Sequence, residues 1–563
     1  MINYLFNFAY LLLYLPFHFY DLVTIAFEQL FLSFNTDKIM NKKFKIFIPL
    51  ISFCLLFPAV YAQEGKTNRG KLHGGVDLNT GIYKKDNNQP HADSVGINTY
   101  LNLNYEIKKF NIGVQYELFE PPMRGYPEKL KGHNLTQYFA SFATDNFAIT
   151  LGSFYEQLGS GLMFRSYEER ALGINTSLRG VHVRYSPANW ASFKVFGGQP
   201  RRYLEYADAL YVGTDGDFNI TKMWNAAGEY NWSVGGAWLL RYNTKTFEKS
   251  ADSSYTHLYN IRTCFNNEHL NINAEYTSKG LSQTNTPKGY VAQRGDAFLV
   301  NVDLNWNGFA ISNVFRRIEH MDFRVDGKPE SAYISMNYIP ALTKQHKYTL
   351  PSLYPHLANA EGEIGGQSDV FWEINPSWIG KYPLKLSLNA SWYRSLGENT
   401  QQTMPFWGKE GTDLFREISI ELEKKLSGNV KTNIAFYLQE KHEDTQKTSF
   451  ISVCDLLCKI NRKISVRAEF QHMNTDMKDK SWIYSMLEVG VAPNWMFFVS
   501  DLYNYGAETN KEHFSNGGIS FSYKSLRSAV SYGKTRAGIQ CVGGICRIIP
   551  EYTGANISIS YVF

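Results

Sequence analysis

The chain has 563 residues, with 57 Lys and Arg against 52 Asp and Glu and a formal net charge of +5. No long run of like charge is present, which leaves no electrostatic footprint for nucleic acid. Mean hydropathy is −0.31, too polar for a bundle of membrane helices, yet 15% of the residues are aromatic. That pairing suits a membrane β-barrel, in which every second strand residue faces the lumen and aromatic girdles mark the two interfaces.

Residues 1–39 are apolar and aromatic (Tyr10-Leu-Leu-Leu-Tyr-Leu-Pro-Phe) and precede a complete secretory signal. The preferred reading is a spurious extension from a start codon assigned too early. A membrane helix near residues 4–34 is the alternative, opposed by Pro16, Asp21 and Glu28. From Met40 a basic stretch (Lys42, Lys43, Lys45), an apolar run (Ile46–Phe57) and the small-residue site ending at Ala62 read as a signal peptide, residues 40–62. Phe53 before Cys54 argues against a lipid anchor. Gln63 then opens a single domain, 63–563, since no linker or composition shift divides the rest.

Beyond Gly70 the pattern is alternation over about ten residues, the length that crosses a bilayer at a tilt. Leu101, Leu103, Tyr105 and Ile107 alternate with Asn102, Asn104, Glu106 and Lys108. The same pattern holds for Phe110–Leu118, Leu384–Trp392 and Ile519–Tyr523. Connectors alternate in length. Short turns at Lys108-Lys, Thr144-Asp-Asn, Ser186-Pro-Ala, Asn266-Asn-Glu, Ser427-Gly-Asn, Asn461-Arg-Lys, Ala492-Pro-Asn and Ser525-Leu-Arg interleave with long loops. The long ones lie near 85–95, 121–134, 158–178, 204–217, 246–254, 281–294, 324–363, 397–412, 441–448, 475–480, 507–513 and 539–554. The expected fold is all-β: a closed antiparallel barrel of about 24 strands (bounds of roughly 18 and 26), with both termini periplasmic.

Two loops break the pattern. The first, Glu156 to Gly173, carries Gly159, Gly161 and the mixed charges Arg165, Glu168, Glu169 and Arg170. Projected into the lumen, these would set ion selectivity or bind a polar solute; left outside, they would be exposed ion pairs of small energy. Arg201 and Arg202, beside Gly197-Gly198, are candidates of the same kind. The second loop, 324–363, carries Tyr338, Leu342, His346, Tyr348, Tyr354 and His356, and is too apolar for a solvated loop. It would form a constriction or gate in the lumen, a surface for a protein partner, or a cap without effect on selectivity.

Cys454 and Cys458 share a strand face with Leu456 and are too far apart to bridge; they read as small lipid-facing hydrophobes. Cys264 has no evident partner. In Cys541-Val-Gly-Gly-Ile-Cys546 a turn at Gly543-Gly544 would set Cys541 opposite Cys546, close enough for a disulfide outside the cell. A redox switch or metal pair is the alternative. The ending Ala555-Asn-Ile-Ser-Ile-Ser-Tyr-Val-Phe563 alternates throughout and puts Tyr561 and Phe563 on one face. It resembles the terminal strand that outer-membrane proteins present to their insertion machinery.

The Gly-Ser-Gly-Leu segment running into Tyr-Glu-Glu-Arg, the Tyr-Ile-Pro-Ala-Leu-Thr-Lys-Gln-His-Lys-Tyr loop and the Cys-Val-Gly-Gly-Ile-Cys-Arg motif together resemble an uncharacterised outer-membrane barrel family of Bacteroidota. The resemblance implies location in the outer membrane of a Gram-negative bacterium and the barrel fold; it implies no substrate. No zinc motif, nucleophile elbow or phosphate loop occurs, so neither an enzyme nor a cofactor is expected. A channel or transporter for hydrophilic solutes is the leading expectation. The alternative is a non-conducting scaffold or secretion component that binds a surface lipoprotein or another protein. Expected partners are outer-membrane lipid and the barrel-insertion machinery.

Overall fold

In the computed structural model, residues 70–563 are described apart from 86–93, 225–227, 245–254, 287–288, 327–333, 341–342, 376, 398–404, 443–444, 478–479, 509–510 and 543–544. At 283–286, 289–291, 377, 540–542 and 545–546 the backbone alone is described. The expectations for the signal peptide and for residues 1–39 fall outside the described residues.

Among the described residues, the main sheet contains 25 strands. One of these, Glu205–Tyr206, is a two-residue ribbon paired only with Arg201 and Arg202, which leaves 24 staves. Each stave pairs antiparallel with the next in sequence, from Lys71–Tyr83 onwards. Tyr552–Val562 pairs with Leu526–Thr535 on one side and with Lys71–Tyr83 on the other, so the sheet closes. Closure satisfies every strand edge, the condition for β-structure in a hydrocarbon layer.

The alternation in sequence becomes inside and outside. On Asp413–Lys425, Phe415, Glu417 and Ser419 are buried while Ile418 is 64% exposed. On the neighbouring staves Phe436, Phe450, Leu456 and Phe470 are exposed, and Tyr437, Ile451, Asp455 and Gln471 are buried. An exposed face of aliphatic and aromatic side chains around a polar interior matches lipid outside and a lumen within. Cys454 is exposed on that outer face beside Leu456, as read from the alternation.

Aromatic pairs ring the barrel near its short turns: Phe110–Phe142, Phe193–Phe218, Tyr230–Phe265, Phe309–Trp372 and Trp495–Phe521, with centroids 4.5 to 6.3 Å apart. Towards the long loops a second set recurs, among them Tyr242–Tyr255, Phe315–Trp407 and Tyr503–His513. Amphipathic rings at both ends of an apolar band are the anchors of a membrane-spanning wall.

Two segments read as long loops are strand. Leu270–Thr286 pairs with Gly289–Trp306 almost to the hairpin tip, through most of 281–294. Ala209–Asn219 occupies most of 204–217. There Asp215 and Asp217 suggest a loop, but Asp215 is an inward residue paired with Arg262, and the acids therefore belong to a polar lumen face. On the short-turn side, 220–229 and 375–383 are longer than turns and carry the exposed Trp224 and Trp378.

Candidate functional site in the lumen

Most long connectors stay at one rim. The connectors 155–177 and 320–361 instead fold into the barrel and meet. The backbone N–H of Arg165 donates to Met336 O (2.7 Å) and that of Tyr338 to Gly161 O (2.9 Å). Asn337 Nδ2 donates to Leu162 O and Met321 O, stapling the two loops together. Phe164 and Met163 from the first loop and Phe323, Val325 and Met336 from the second are buried against inward residues Phe196, Tyr211, Leu239 and Leu258 of the wall. An apolar core thus sits inside the barrel. Its formation explains the apolar character of both loops, since each unburied aromatic would otherwise face water.

The first loop reaches the wall at several separate places. Gly159, at φ +59°, passes so close to Glu275 that a Cβ would lie 2.6 Å from Glu275 Oε1. The turn lets Ser160 N–H donate to Glu275 Oε2 at 2.9 Å. Further along, Gln115 Nε2 donates to both Glu117 and Glu168 at 2.7 Å. Arg170 pairs with Glu168 (3.2 Å) and with Asp77 on the first stave, and its guanidinium lies 4.5 Å from the Tyr100 ring centroid. Glu117 in turn is gripped by both terminal nitrogens of Arg201. Arg201, Glu117, Gln115, Glu168, Arg170 and Asp77 therefore form one connected network. Arg202 pairs with Asp326 of the second loop at 3.2 Å. Arg165 lies over the rings of Tyr167 and Tyr338. Glu169 caps the short 3₁₀ turn Arg170–Leu172 through Ala171 N–H.

The second loop crosses to the opposite wall. Arg316 forms a fully buried pair with Glu363 and donates to Pro340 O. Glu363 also receives His356 Nε2 (2.9 Å) and Asn359 N–H (3.1 Å), and the His356 ring stacks on Tyr393 and Phe415. His346 Nε2 meets Glu417 at 2.9 Å, and Lys344 pairs with Glu421 at 2.8 Å. Tyr348 Oη donates to Asp455, and Leu350 N–H donates to Gln471 Oε1. Tyr348 and Leu350 then close a second buried cluster with Tyr437, Ile451, Met473 and Trp482, and Tyr354 packs on its edge. Burial, and after it Asp455 and nearby carboxylates, raise the Tyr348 hydroxyl pKa, so it stays a donor. Leu342 falls outside the described residues.

On the short-turn side of the first loop is a chamber of about 390 Å³ lined by Lys194, Asp215, Arg262, Glu275 and Asn301, with Ser160 at its edge. Arg262 bridges Asp215 and Asp217, at 2.7 Å each. Sequence reasoning singled out the loop charges but not their wall partners Asp77, Gln115, Glu117, Glu275, Arg316, Glu363 and Glu417. Each is one polar residue in an alternating strand, and only the loops' paths distinguish it. In the last loop Gly538–Val542 pairs antiparallel with Ile545–Ile549 in a register that sets Cys541 opposite Cys546. The side chains of that pair, and so the expected disulfide, lie outside the described residues.

The fold and its filled lumen define a class: a large closed β-barrel of the outer-membrane type. The chain belongs to a family of unknown function (DUF6029), whose model matches residues 40–563. No curated protein matches it. Among solved structures it is similar to the P pilus usher PapC translocation pore (9% identity, 87% of this chain and 99% of that one, TM-score 0.43). It is also similar to a chain of the E. coli P pilus tip assembly intermediate PapC-PapD-PapK-PapG (10% identity, 89% of this chain and 62% of that one, TM-score 0.48). A third is the siderophore receptor PirA of Pseudomonas aeruginosa (10% identity, 89% and 81%, TM-score 0.41).

Proposed function

We propose that the protein is a gated outer-membrane channel or transporter for hydrophilic solutes, with the short turns in the periplasm and the long loops outside. The observation that carries this reading is the pair of loops 155–177 and 320–361, held together by backbone hydrogen bonds across a lumen with polar walls. In this reading the loops are the gate. Arg165, Glu168, Glu169, Arg170, Arg201 and Arg202 anchor it rather than line an open path, because Glu168, Arg170, Arg201 and Arg202 are held in ion pairs or hydrogen bonds. Tyr338 ties the second loop to the first, and His346, Tyr348, Tyr354 and His356 tie its far end to the wall. Tyr561 and Phe563, stacked 6.1 Å apart, suit a signal for the insertion machinery.

The test is single-channel conductance of the refolded barrel with and without residues 325–361. Small or no conductance in the intact protein and a clear rise on deletion is the expected result. Silence in both would sink the channel. It would leave the second reading, a non-conducting scaffold for a protein partner, which the buried apolar clusters inside the barrel favour.

A further inference from the structure

The chamber on the short-turn side of the first loop holds about 390 Å³, inside the roughly 300–1,000 Å³ range of small-molecule sites. Its lining differs from that of most such sites. Among the described residues Ala274, Leu299 and Cys264 are its only apolar side chains, and no aromatic ring lines it. A ligand with much apolar surface would gain little there.

The charges of the lining are already matched to one another. Asp215 Oδ1 pairs with Arg262 at 2.7 Å and its Oδ2 with Lys194 at 3.6 Å. Lys194 also holds Glu156 at 3.0 Å. Glu275 Oε1 accepts from Asn260 Nδ2 at 2.7 Å, and its Oε2 accepts from Ser160 N–H at 2.9 Å. Asp215, Asp217, Glu275 and Glu156 together stand against Lys194 and Arg262, so an anion entering the chamber is repelled.

Three groups are left for a ligand. Asp217 is 49% exposed at its side chain and meets Arg262 through Oδ1 alone, which leaves Oδ2 as an acceptor. Asn273 and Asn301 are register partners on the staves Leu270–Thr286 and Gly289–Trp306, and both line the chamber. Both are partly exposed, and neither amide has a hydrogen-bond partner among the described residues. Each amide presents a donor and an acceptor. One oxygen that only accepts, beside two amides that do both, is matched by groups that themselves donate and accept, as hydroxyls do. An ammonium only donates and would leave both amide N–H groups unused.

We propose that this chamber binds an uncharged polyhydroxylated solute of the sugar or polyol class. One hydroxyl donates to Asp217 Oδ2, and others exchange hydrogen bonds with Asn273 and Asn301. The proposal rests on the reading of the barrel as a pathway for hydrophilic solutes and names the solute's chemistry.

The experiment is a ligand-observed NMR titration of the detergent-purified full barrel with glucose, sorbitol, glucosamine and glucuronate. Glucose or sorbitol should saturate a site at least tenfold more tightly than glucuronate, and glucosamine should bind no more tightly than that neutral probe. Asn273→Leu combined with Asn301→Leu, which removes both amides at similar size, should weaken the neutral probe at least tenfold. Asp217→Asn, a milder change, should weaken it as well. The four-probe comparison on the wild type stands by itself if a variant fails to fold. No binding of either neutral probe, glucuronate binding as tightly, glucosamine binding tenfold more tightly, or neutral binding unchanged in the folded variants would overturn the proposal. Conductance is recorded on the same preparations. Neutral binding without a channel, even after deletion of 325–361, would overturn the transport reading and leave the site standing. A channel without neutral binding would do the reverse.

Discussion

Arg201 and Glu117 face each other with both side chains only 2% exposed, and neither has water to fall back on. Removing one member of such a pair strands a buried charge, at about 3–5 kcal/mol, whereas replacing both by apolar residues of similar volume is far milder. Arg201→Ala should therefore lower the thermal unfolding midpoint strongly, and Arg201→Met combined with Glu117→Leu should recover most of it. Equal losses in the two proteins would contradict this account. Glu156 offers a pH-resolved case. Burial opposes its ionisation, but His182 (2.6 Å) and Lys194 (3.0 Å) outweigh burial and hold its carboxyl below the usual 4.5. A depressed pKa stabilises the fold above the unfolded value, and that stability is lost as pH falls through the folded one. Glu156→Gln should thus be less stable than the wild type at pH 7, with the difference shrinking below about pH 4. Residue roles were only half legible in the sequence. Glu168, Arg170 and Arg201 stand out because charges cluster around glycines. They connect, however, through Gln115, Glu117 and Asp77, which look like any other polar residue on a lumen face.

The staves themselves were legible because the bilayer imposes a period of two on each. Ile418 lies near the middle of Asp413–Lys425 and is exposed on the outer face. Ile418→Arg should destabilise the barrel by about 2–4 kcal/mol in lipid, read from urea titrations of the inserted protein, since a charge there meets hydrocarbon. A value near zero would place this stave outside the membrane band. Where the two-residue period is overlaid by acidic residues, as at Asp215 and Asp217, local composition mimics a loop and strand boundaries drift. The loops 155–177 and 320–361 were recognisable as unusual from their apolar content, yet their meeting through Arg165 and Met336 was not. That contact is between backbones, and backbone hydrogen bonds carry no mark of residue type.

At the level of the whole molecule, most short turns lie at one rim and the longest connectors at the other, and both lumen-filling loops enter from that second rim. The wall depends on its seam. Tyr552–Val562 holds both Leu526–Thr535 and Lys71–Tyr83. A chain lacking 552–562 would present two unpaired edges. It should fail to give the compact, heat-modifiable band of a folded barrel on electrophoresis, whereas deleting 325–361 should leave that band intact. Loss of the band in both would mean that the inner loop is part of the barrel's own stability.

That seam also sets the order of events. Gly75 pairs with Val562, a separation of 562 − 75 = 487 positions, while every other stave meets a neighbour next to it in the chain. Local hairpins can zip as soon as they are made, but the seam has to wait for the far end to arrive. Without that pairing there is no closed ring, and the interior of such a sheet would be reachable from the side as well as from the rim. The two loops can therefore be laid against their walls before the ring shuts. Shutting the ring encloses them, so that the last pairing to form decides whether the contents of the barrel are in place.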